Sequence, residues 1–292
     1  MNAQIASNTH SEDVVARVAG EDSRSSRNGS LASLGFTAFL LVSAPALAAV
    51  APSLGTMAPF AVTSTTYTNT VAGTTINGNL CRTIAPAVTP TINGVETVPC
   101  PPSTGTDQLA ATAILIGQPC ITIAGPMEAV TIAANPPGTF PPGCYTSVGA
   151  LGITANGIVT LNGNGVYVFR STGGAITTGA NSSIVLAGGA CAGDVFWTAV
   201  GLTTLGGTSA FIGNLLDAAG VTMGLGATVT GRALAFPATV TTNGANTITL
   251  PAACAALPAS IGGVPTLSDW AKVMLAALLA VAGFAAMRRH AR

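Results

Sequence analysis

From residue 153 onward, short runs of alternating apolar and small polar residues line up with one another. Ile153-Thr154-Ala155-Asn156, Ile176-Thr177-Thr178-Gly179, Thr203-Thr204-Leu205-Gly206, Val221-Thr222-Met223-Gly224 and Val240-Thr241-Thr242-Asn243 put threonine second five times, at Thr154, Thr177, Thr204, Thr222 and Thr241. A base period near 18–19 residues, lengthened by loop insertions, is the mark of a β-solenoid. Six positions after each of those threonines comes a second column, Thr160, Ser183, Ala210, Thr228 and Thr247, each followed by an apolar residue (Leu161, Ile184, Phe211, Val229, Ile248). Period-2 alternation turns the small polar column outward and the apolar one inward. Thr230 and Thr249 take the next outward places.

A third segment, seen in Val166-Tyr167-Val168-Phe169, Val195-Phe196-Trp197, Leu215-Leu216 and Ala233-Leu234-Ala235-Phe236, is apolar on both sides. Three short strands per coil, separated by glycine and asparagine corners, predict an all-β solenoid of triangular cross-section. A strand face apolar on both sides needs a cover. The stretch 107–117 (DQLAATAILIG) reads as the one helix of this region, stopped by Pro119 and lying along the third face. A buried strand is the alternative reading of the same apolar run.

The two ends read differently. Arg24 and Arg27 precede an apolar run from Leu31 to Val42, followed by the small-x-small pattern Ala46-Leu47-Ala48, as in a cleaved secretory signal. A membrane anchor is the alternative, but the run is short for a span and Pro45 interrupts its exit. At the C-terminus, Val264-Pro265-Thr266-Leu267-Ser268-Asp269-Trp270 leads into an uncharged run from Val273 to Met287, which reads as a hydrophobic helix, and then Arg288-Arg289-His290-Ala291-Arg292. Trp270 and Lys272 suit one membrane interface and the arginines the cytoplasmic one. The organisation expected is therefore an N-terminal extension and signal over 1–48, a solenoid over 49–262 with an insertion or cap at 81–106, and a C-terminal tail over 263–292.

Charge sharpens this division. Only 7% of residues are charged while 49% are hydrophobic. Between Ala49 and Gly263 stand Arg82, Arg170 and Arg232 against Glu96, Asp107, Glu128, Asp194 and Asp217, with no lysine or histidine. No basic patch is available for a nucleic acid. The six cysteines, Cys81, Cys100, Cys120, Cys144, Cys191 and Cys254, read as disulfides in an exported chain. Sequence leaves their pairing open. With no CxxC and no histidine nearby, no metal site is expected, and no cofactor either.

At this point the residues resemble a known family. Phe60-Ala61-Val62 with the threonine-rich stretch to Gly78, Gly117-Gln118-Pro119-Cys120, Pro142-Gly143-Cys144-Tyr145, Asp194-Val195-Phe196-Trp197, Thr204-Leu205-Gly206 through Phe211-Ile212-Gly213, and 227–235 (ATVTGRALA) are similar to the DUF3494 ice-binding proteins of bacteria and fungi. The resemblance covers about Ser53 to Cys254. It implies a right-handed β-solenoid with a helix packed alongside, and a winding order in which N-terminal strands are inserted among later coils. The tail resembles the bacterial sorting signals of the IPTLSxWG type read by exosortases, with Val264 in place of the isoleucine and Ala271 in place of the final glycine.

The function implied is adsorption to ice, with ordered water as the ligand. Coils stack about 4.8 Å apart, so one threonine per coil makes a row of hydroxyls and methyls at that pitch. β-Branched side chains are restricted at χ1 and hold the row in order. The candidate contact residues are Thr154, Thr177, Thr178, Asn181, Thr204, Thr208, Thr222, Thr228, Thr230, Thr241, Thr247 and Thr249. Of the family's T-A/G-x-T/N motif, Thr178-Gly179-Ala180-Asn181 is a whole copy, Leu205-Gly206-Gly207-Thr208 a partial one, and Met223-Gly224-Leu225-Gly226 departs from it. The other partners expected are an exosortase-type processing enzyme and the inner membrane, the latter through the tail before processing, with the domain displayed at the cell surface or outside the cell.

A structural or adhesive surface protein on the same scaffold is the main rival, because threonine is also a good outward strand residue. An enzyme built on Asp194 and Asp217 as paired carboxylates is a third reading. Arg170, Asp194, Asp217 and Arg232 all fall at the ends of the third face, where charge pairing among them is the simpler expectation.

Overall fold

A computed structural model of the chain describes residues 48–254 and the isolated Met274. The expected signal and C-terminal helix lie outside the described residues. Among the described residues no helix is long and apolar enough to cross a membrane.

The described chain is a β-solenoid with three faces. The first is a six-stranded parallel sheet, in the order Leu151–Ile153, Ile176–Thr178, Thr203–Leu205, Val221–Met223, Thr239–Thr242, Thr66–Asn69. The second face stacks Thr139–Phe140, Ile158–Asn162 and Ser183–Ala187. It continues through the first halves of Ala210–Leu216 and Thr228–Leu234, then Thr247–Thr249, Thr75–Asn77 and Thr91–Ile92. The third face runs from Ile121–Thr122 through Gly143–Ser147, Tyr167–Ser171 and Val195–Ala199. The second halves of the two long strands follow, then Phe60–Thr63, Asn79–Cys81 and Glu96–Thr97. Every one of these pairings is parallel.

The winding order departs from chain order. The strands between residues 66 and 97 stack beyond the last C-terminal coil, Thr66–Asn69 on Thr239–Thr242 and Thr75–Asn77 on Thr247–Thr249. Phe60–Thr63 fills the third-face place of the coil made by Thr239–Thr242 and Thr247–Thr249, and the remaining N-terminal coils follow it at that end. Residues 81–97 contribute a shortened final coil.

Inward residues of all three faces meet in one core, including Val159, Ile184, Phe211, Val229, Ile248 and Ile76 from the second face. Within it the aromatic rings stack coil upon coil, with centroids 5.3 Å apart for Tyr145–Phe169 and 4.2 Å for Phe169–Trp197. The outer side of the third face forms a separate apolar cluster. Val168, Phe196, Leu216 and Leu234 meet Ala111 and Leu115 of a helix spanning Thr104–Gly117, together with Met57. The helix therefore covers the third face, as expected, but starts earlier than the 107–117 reading. The turn after Pro101-Pro102 initiates it, with Thr104 N–H donating to Pro101 O at 3.0 Å. Gly105, a poor helix former, is set 3.2 Å by its would-be Cβ from the Phe236 ring.

The six cysteines pair in sequential order: Cys81–Cys100, Cys120–Cys144 and Cys191–Cys254. This settles what the sequence left open.

Corners demand glycine where the backbones of successive coils touch. A Cβ on Gly206, at the corner between the first and second faces, would lie 2.4 Å from the carbonyl carbon of Gly179 one coil away. A Cβ on Gly231, where a long strand turns from the second face to the third, would lie 1.8 Å from Gly213 O. Neither neighbour is a side chain that can swing aside. Gly206→Ala is expected to lower unfolding free energy by about 1–3 kcal/mol, the usual cost of forced overpacking, measured by chemical denaturation of the oxidised protein.

Candidate functional site

The candidate surface is the outside of the first face. Its strands are three or four residues long, so each offers few outward positions between two corners. Register brings Thr177 opposite Thr204, Thr204 opposite Thr222, Thr222 opposite Thr241, and Thr241 opposite Thr68. Five threonines thus form an unbroken ladder, one per coil, at the ~4.8 Å spacing of paired strands. At one end it broadens, because Thr239 and Thr66 are also paired and hold a second outward row. Ala175 and Leu202 flank the ladder toward the other end, Leu202 well exposed.

The other expected contact residues lie off this ladder, Thr154 and Thr178 first among them. Thr177 stands opposite Gly152, which puts Thr154 two residues beyond the ladder, at the corner. There its N–H donates to Glu128 Oε1 at 3.1 Å, and its hydroxyl donates to the same oxygen. A register error of two residues keeps every side chain on its correct side, so hydrophobic alternation does not reveal it. The same slip explains Thr160, which lies opposite Val185 and not Ser183. Thr178 points inward and is buried, its Oγ1 accepting the Gly206 N–H at 3.0 Å. It satisfies a corner amide of the next coil and is not available to a surface ligand.

Asn181 and Thr208 stack at the corner between the first and second faces. Both have left-handed backbone, φ 57° and 55°. The Thr208 hydroxyl donates to Asn181 Oδ1, tying these exposed side chains to each other across two coils.

Thr228, Thr230, Thr247 and Thr249 point outward on the second face, as expected from alternation. Thr228 pairs with Thr247 and Thr230 with Thr249. This block is extended by residues the sequence reading missed: Thr75 opposite Thr247, Asn77 opposite Thr249, and Thr91 opposite Thr75. Asn77 Nδ2 donates to Thr249 Oγ1 at 3.1 Å, and Asn93 Nδ2 to Asn77 Oδ1 at 2.8 Å. In the other direction the column changes character, running Thr228, Ala210, Ser183, Ile158. The hydroxyl surface of the second face is therefore confined to one end. Thr75 and Thr91 carried a usable signal: Thr75-Ile76-Asn77 and Thr91-Ile92-Asn93 share one lettering and differ from Thr247-Ile248-Thr249 only in the last place.

Behind the ladder, the inward side of the first face contains a hydrogen-bonded polar chain. The Tyr67 hydroxyl meets Thr242 Oγ1 at 2.9 Å, and the Thr242 and Thr74 hydroxyls each donate to Asn69 Oδ1 at 3.0 Å. Burial pushes the Tyr67 phenol up to about 12, a shift that the Thr242 contact only partly offsets.

The charged residues do not pair with one another as expected. Among the described residues the ion pair is Arg82–Glu96, at 2.6 Å. Arg170 instead donates to the carbonyls of Leu115 and Ile116, the last turn of the helix. That position suits a cation, because unsatisfied carbonyls concentrate negative charge there. Arg232 donates to Ala58 O and, at 2.8 Å, to Asn214 Oδ1. Asp217 is wholly buried and accepts from the Thr203 hydroxyl and, at 2.9 Å, the Ala219 N–H. Asp194 sits beside the Cys191–Cys254 disulfide. The paired-carboxylate reading loses its geometry, since Asp217 is sealed into a turn.

Burial raises the Asp217 carboxyl above the usual range, against the pull of its hydrogen bonds from Thr203 and the turn amides. A folded-state value above the unfolded one means that the folded form prefers the proton. Stability therefore declines as pH rises from the unfolded value through the folded one. Asp217→Asn is expected to match the parent in acid and to be more stable toward neutrality, read as the difference between two denaturation-versus-pH curves.

Residues 124–249 match the family model described as ice-binding-like, and residues 263–289 match the IPTL-CTERM motif. An ice-binding protein of Flavobacterium frigoris (strain PS1) is 35% identical over 113 residues, 39% of this chain and 40% of that protein. Ice-binding protein 1 of Shewanella frigidimarina (strain NCIMB 400) is 39% identical over 98 residues, 32% of this chain and 11% of the relative. The chain thus spans well under half the length of either relative. Among solved structures, an ice-binding protein from an Antarctic biological consortium superposes with a TM-score of 0.62 at 26% identity, over 70% of this chain and 92% of that one. The DUF3494 domain of the Shewanella protein does so with a TM-score of 0.60 at 25% identity, over 71% of this chain and the whole of that domain.

Proposed function

We propose that this solenoid, which matches the ice-binding-like family model over residues 124–249, is an ice-binding domain that adsorbs to ice through the threonine ladder of its first face. The observation that carries this reading is the unbroken register Thr177, Thr204, Thr222, Thr241, Thr68. Each rung presents one hydroxyl and one methyl at a pitch set by backbone hydrogen bonds. Neighbouring rungs share a restricted rotamer choice, so little side-chain entropy is lost when the row orders water. The ladder carries no charge of its own; Glu128 stands off it, held by Thr154 at the corner.

Asn181 and Thr208 extend the surface around the corner. Thr228, Thr230, Thr247 and Thr249, joined by Thr75 and Thr91, form a shorter hydroxyl block on the second face and rank below the ladder because the column turns apolar after Ala210. The N-terminal leader directs export and the tail directs sorting and display. Residues 263–292 serve as substrate for an exosortase-type enzyme, with the apolar run 273–287 in the inner membrane before processing and residues 1–48 removed as a leader.

Ice affinity purification, thermal hysteresis and recrystallisation inhibition test the reading directly. Thr222→Tyr and Thr68→Tyr are expected to remove most of the activity, and Thr230→Tyr to remove less. Thr154→Tyr, off the ladder, is expected to leave it. Absence of all three activities in the parent protein rejects ice adsorption and favours a structural role for the same scaffold. Equal loss in Thr154→Tyr and Thr222→Tyr rejects the ladder.

A further inference from the structure

The helix Thr104–Gly117 covers the third face, yet it is apolar on its other side as well. Leu109 is 66% exposed, Ile116 52% and Ile114 42%, with Ala110 and Ala113 exposed between them. From Leu109 onward the helix is therefore suited to an apolar environment on both sides. The surface continues past its end. Val50 is tied to Gln118 by two backbone–side-chain hydrogen bonds of 2.8 Å, and Val50, Pro119 and Ile121 are all exposed. The sequence from Leu109 to Ile121 contains no charged residue, and the cation beside it, Arg170, is held against the carbonyls of Leu115 and Ile116.

The N-terminal side of the solenoid adjoins this face, and its C-terminal side is fastened at the edge of the third face. Val50 adjoins the helix end through Gln118. At the other end, the disulfide fastens Cys254 to Cys191, which opens the turn Ala192–Asp194 leading straight into the third-face strand Val195–Ala199. From Cys254, residues 255–272 lead to the apolar run 273–287. Fully extended, those 18 residues reach roughly 60 Å. The tether alone therefore leaves the domain free to turn, and the apolar face decides how it sits.

We propose that, while the tail is still in the membrane, the solenoid rests on the lipid bilayer through Leu109, Ile114 and Ile116, with Val50 and Ile121, so that the threonine ladder of the first face looks away from the membrane. The inference rests on the membrane reading of residues 263–292 given above. It adds an interaction surface and a fixed orientation, which tethering by itself does not supply. Apolar side chains entering the headgroup–acyl boundary remove their exposed area from water in the manner of interfacial helices.

The test uses the full chain, oxidised, with vesicles of phosphatidylethanolamine and phosphatidylglycerol. Flotation first reports whether the chain is held by the membrane. Nitroxide labels are then placed at Ile114→Cys, at Leu109→Cys as a second helix position, and at Thr222→Cys on the ladder. Each is probed with oxygen, which partitions into lipid, and with a water-soluble nickel chelate. The expected result is that Ile114 and Leu109 labels respond to oxygen and are shielded from nickel, while the Thr222 label responds to nickel.

Helix labels as open to nickel as the ladder label, on a chain that floats, overturn the orientation and leave anchoring standing. Helix labels shielded from both reagents and broadened by dipolar coupling between molecules mean that a second copy covers the face, which also overturns it. A chain that does not float removes the anchoring reading, and this inference falls with it.

Discussion

In-register parallel stacking of coils is the constraint on which the rest of the molecule depends. Each strand finds its neighbours one coil above and below, at a single hydrogen-bond pitch, so whatever occupies a position in one coil sits directly over its counterpart in the next. The rule produces the aromatic stack of Tyr145, Phe169 and Trp197 inside and the threonine ladder outside. It also accounts for the corner glycines, since Gly179, Gly206 and Gly224 meet backbone of adjoining coils at would-be Cβ distances below 3 Å. The disulfides stand where stacking runs out. Cys120–Cys144 closes the first coil, Cys81–Cys100 closes the shortened last one, and Cys191–Cys254 secures the exit strand's continuation after residue 250. Each fastens chain that lacks a further coil to hold it.

The helix solves a problem of connection as well as burial. Because the N-terminal coils stand at the C-terminal end, the chain must return along the whole solenoid before the coil at residue 121 can begin. Fourteen helical residues cover about 21 Å, and the third face of nine stacked strands is nearer 38 Å deep at 4.8 Å per strand. The remainder is bridged by the chain on either side, residues 98–103 and 118–120. Polar side chains anchor this return path. Gln108 donates to Leu234 O and accepts the Phe236 N–H, Arg170 holds the last carbonyls, and Asp107 accepts both the N–H and the hydroxyl of Thr56. The last two contacts hold the Asp107 carboxyl below its ordinary value.

Much of this was legible in the sequence, and the parts that were not share a cause. The alternation around Thr204, Thr222 and Thr241 predicted strands, sidedness and ladder correctly, because consecutive coils there differ little in length. It misplaced Thr154 and Thr160, since a shift of two residues preserves the burial of Leu151, Ile153, Val159 and Leu161. Only the backbone pairing separates the two registers. Thr178 was named because it opens the motif copy Thr178-Gly179-Ala180-Asn181, while its position is inward. Thr68, Thr75 and Thr91 were missed for a different reason: a repeat search along the chain assumes that neighbours in space are neighbours in sequence, and these coils join the stack from the far end of the domain. The arginines were expected to find carboxylates, but backbone carbonyls left free at a helix end and at Ala58 were the partners in reach.

The scarcity of charge follows from the same stacking rule. Identical outward residues in successive coils stand about 4.8 Å apart, where two like charges repel by roughly 0.9 kcal/mol per pair even at the dielectric constant of water. A five-rung ladder of lysine or glutamate would sum four such contacts, together with more distant ones, against the few kcal/mol of margin that folded domains possess. A solenoid with in-register columns is therefore driven toward neutral outward residues whatever it binds, and the low charge of the domain is first a consequence of fold. What fold does not require is that the neutral residue be the same at every rung. The second face satisfies the rule with isoleucine, serine, alanine and threonine in turn at Ile158, Ser183, Ala210 and Thr228. The first face uses threonine at five consecutive rungs, including one, Thr68, supplied by a coil from the opposite end of the sequence. Uniformity beyond what stacking demands is the feature that sets the first face apart from the second.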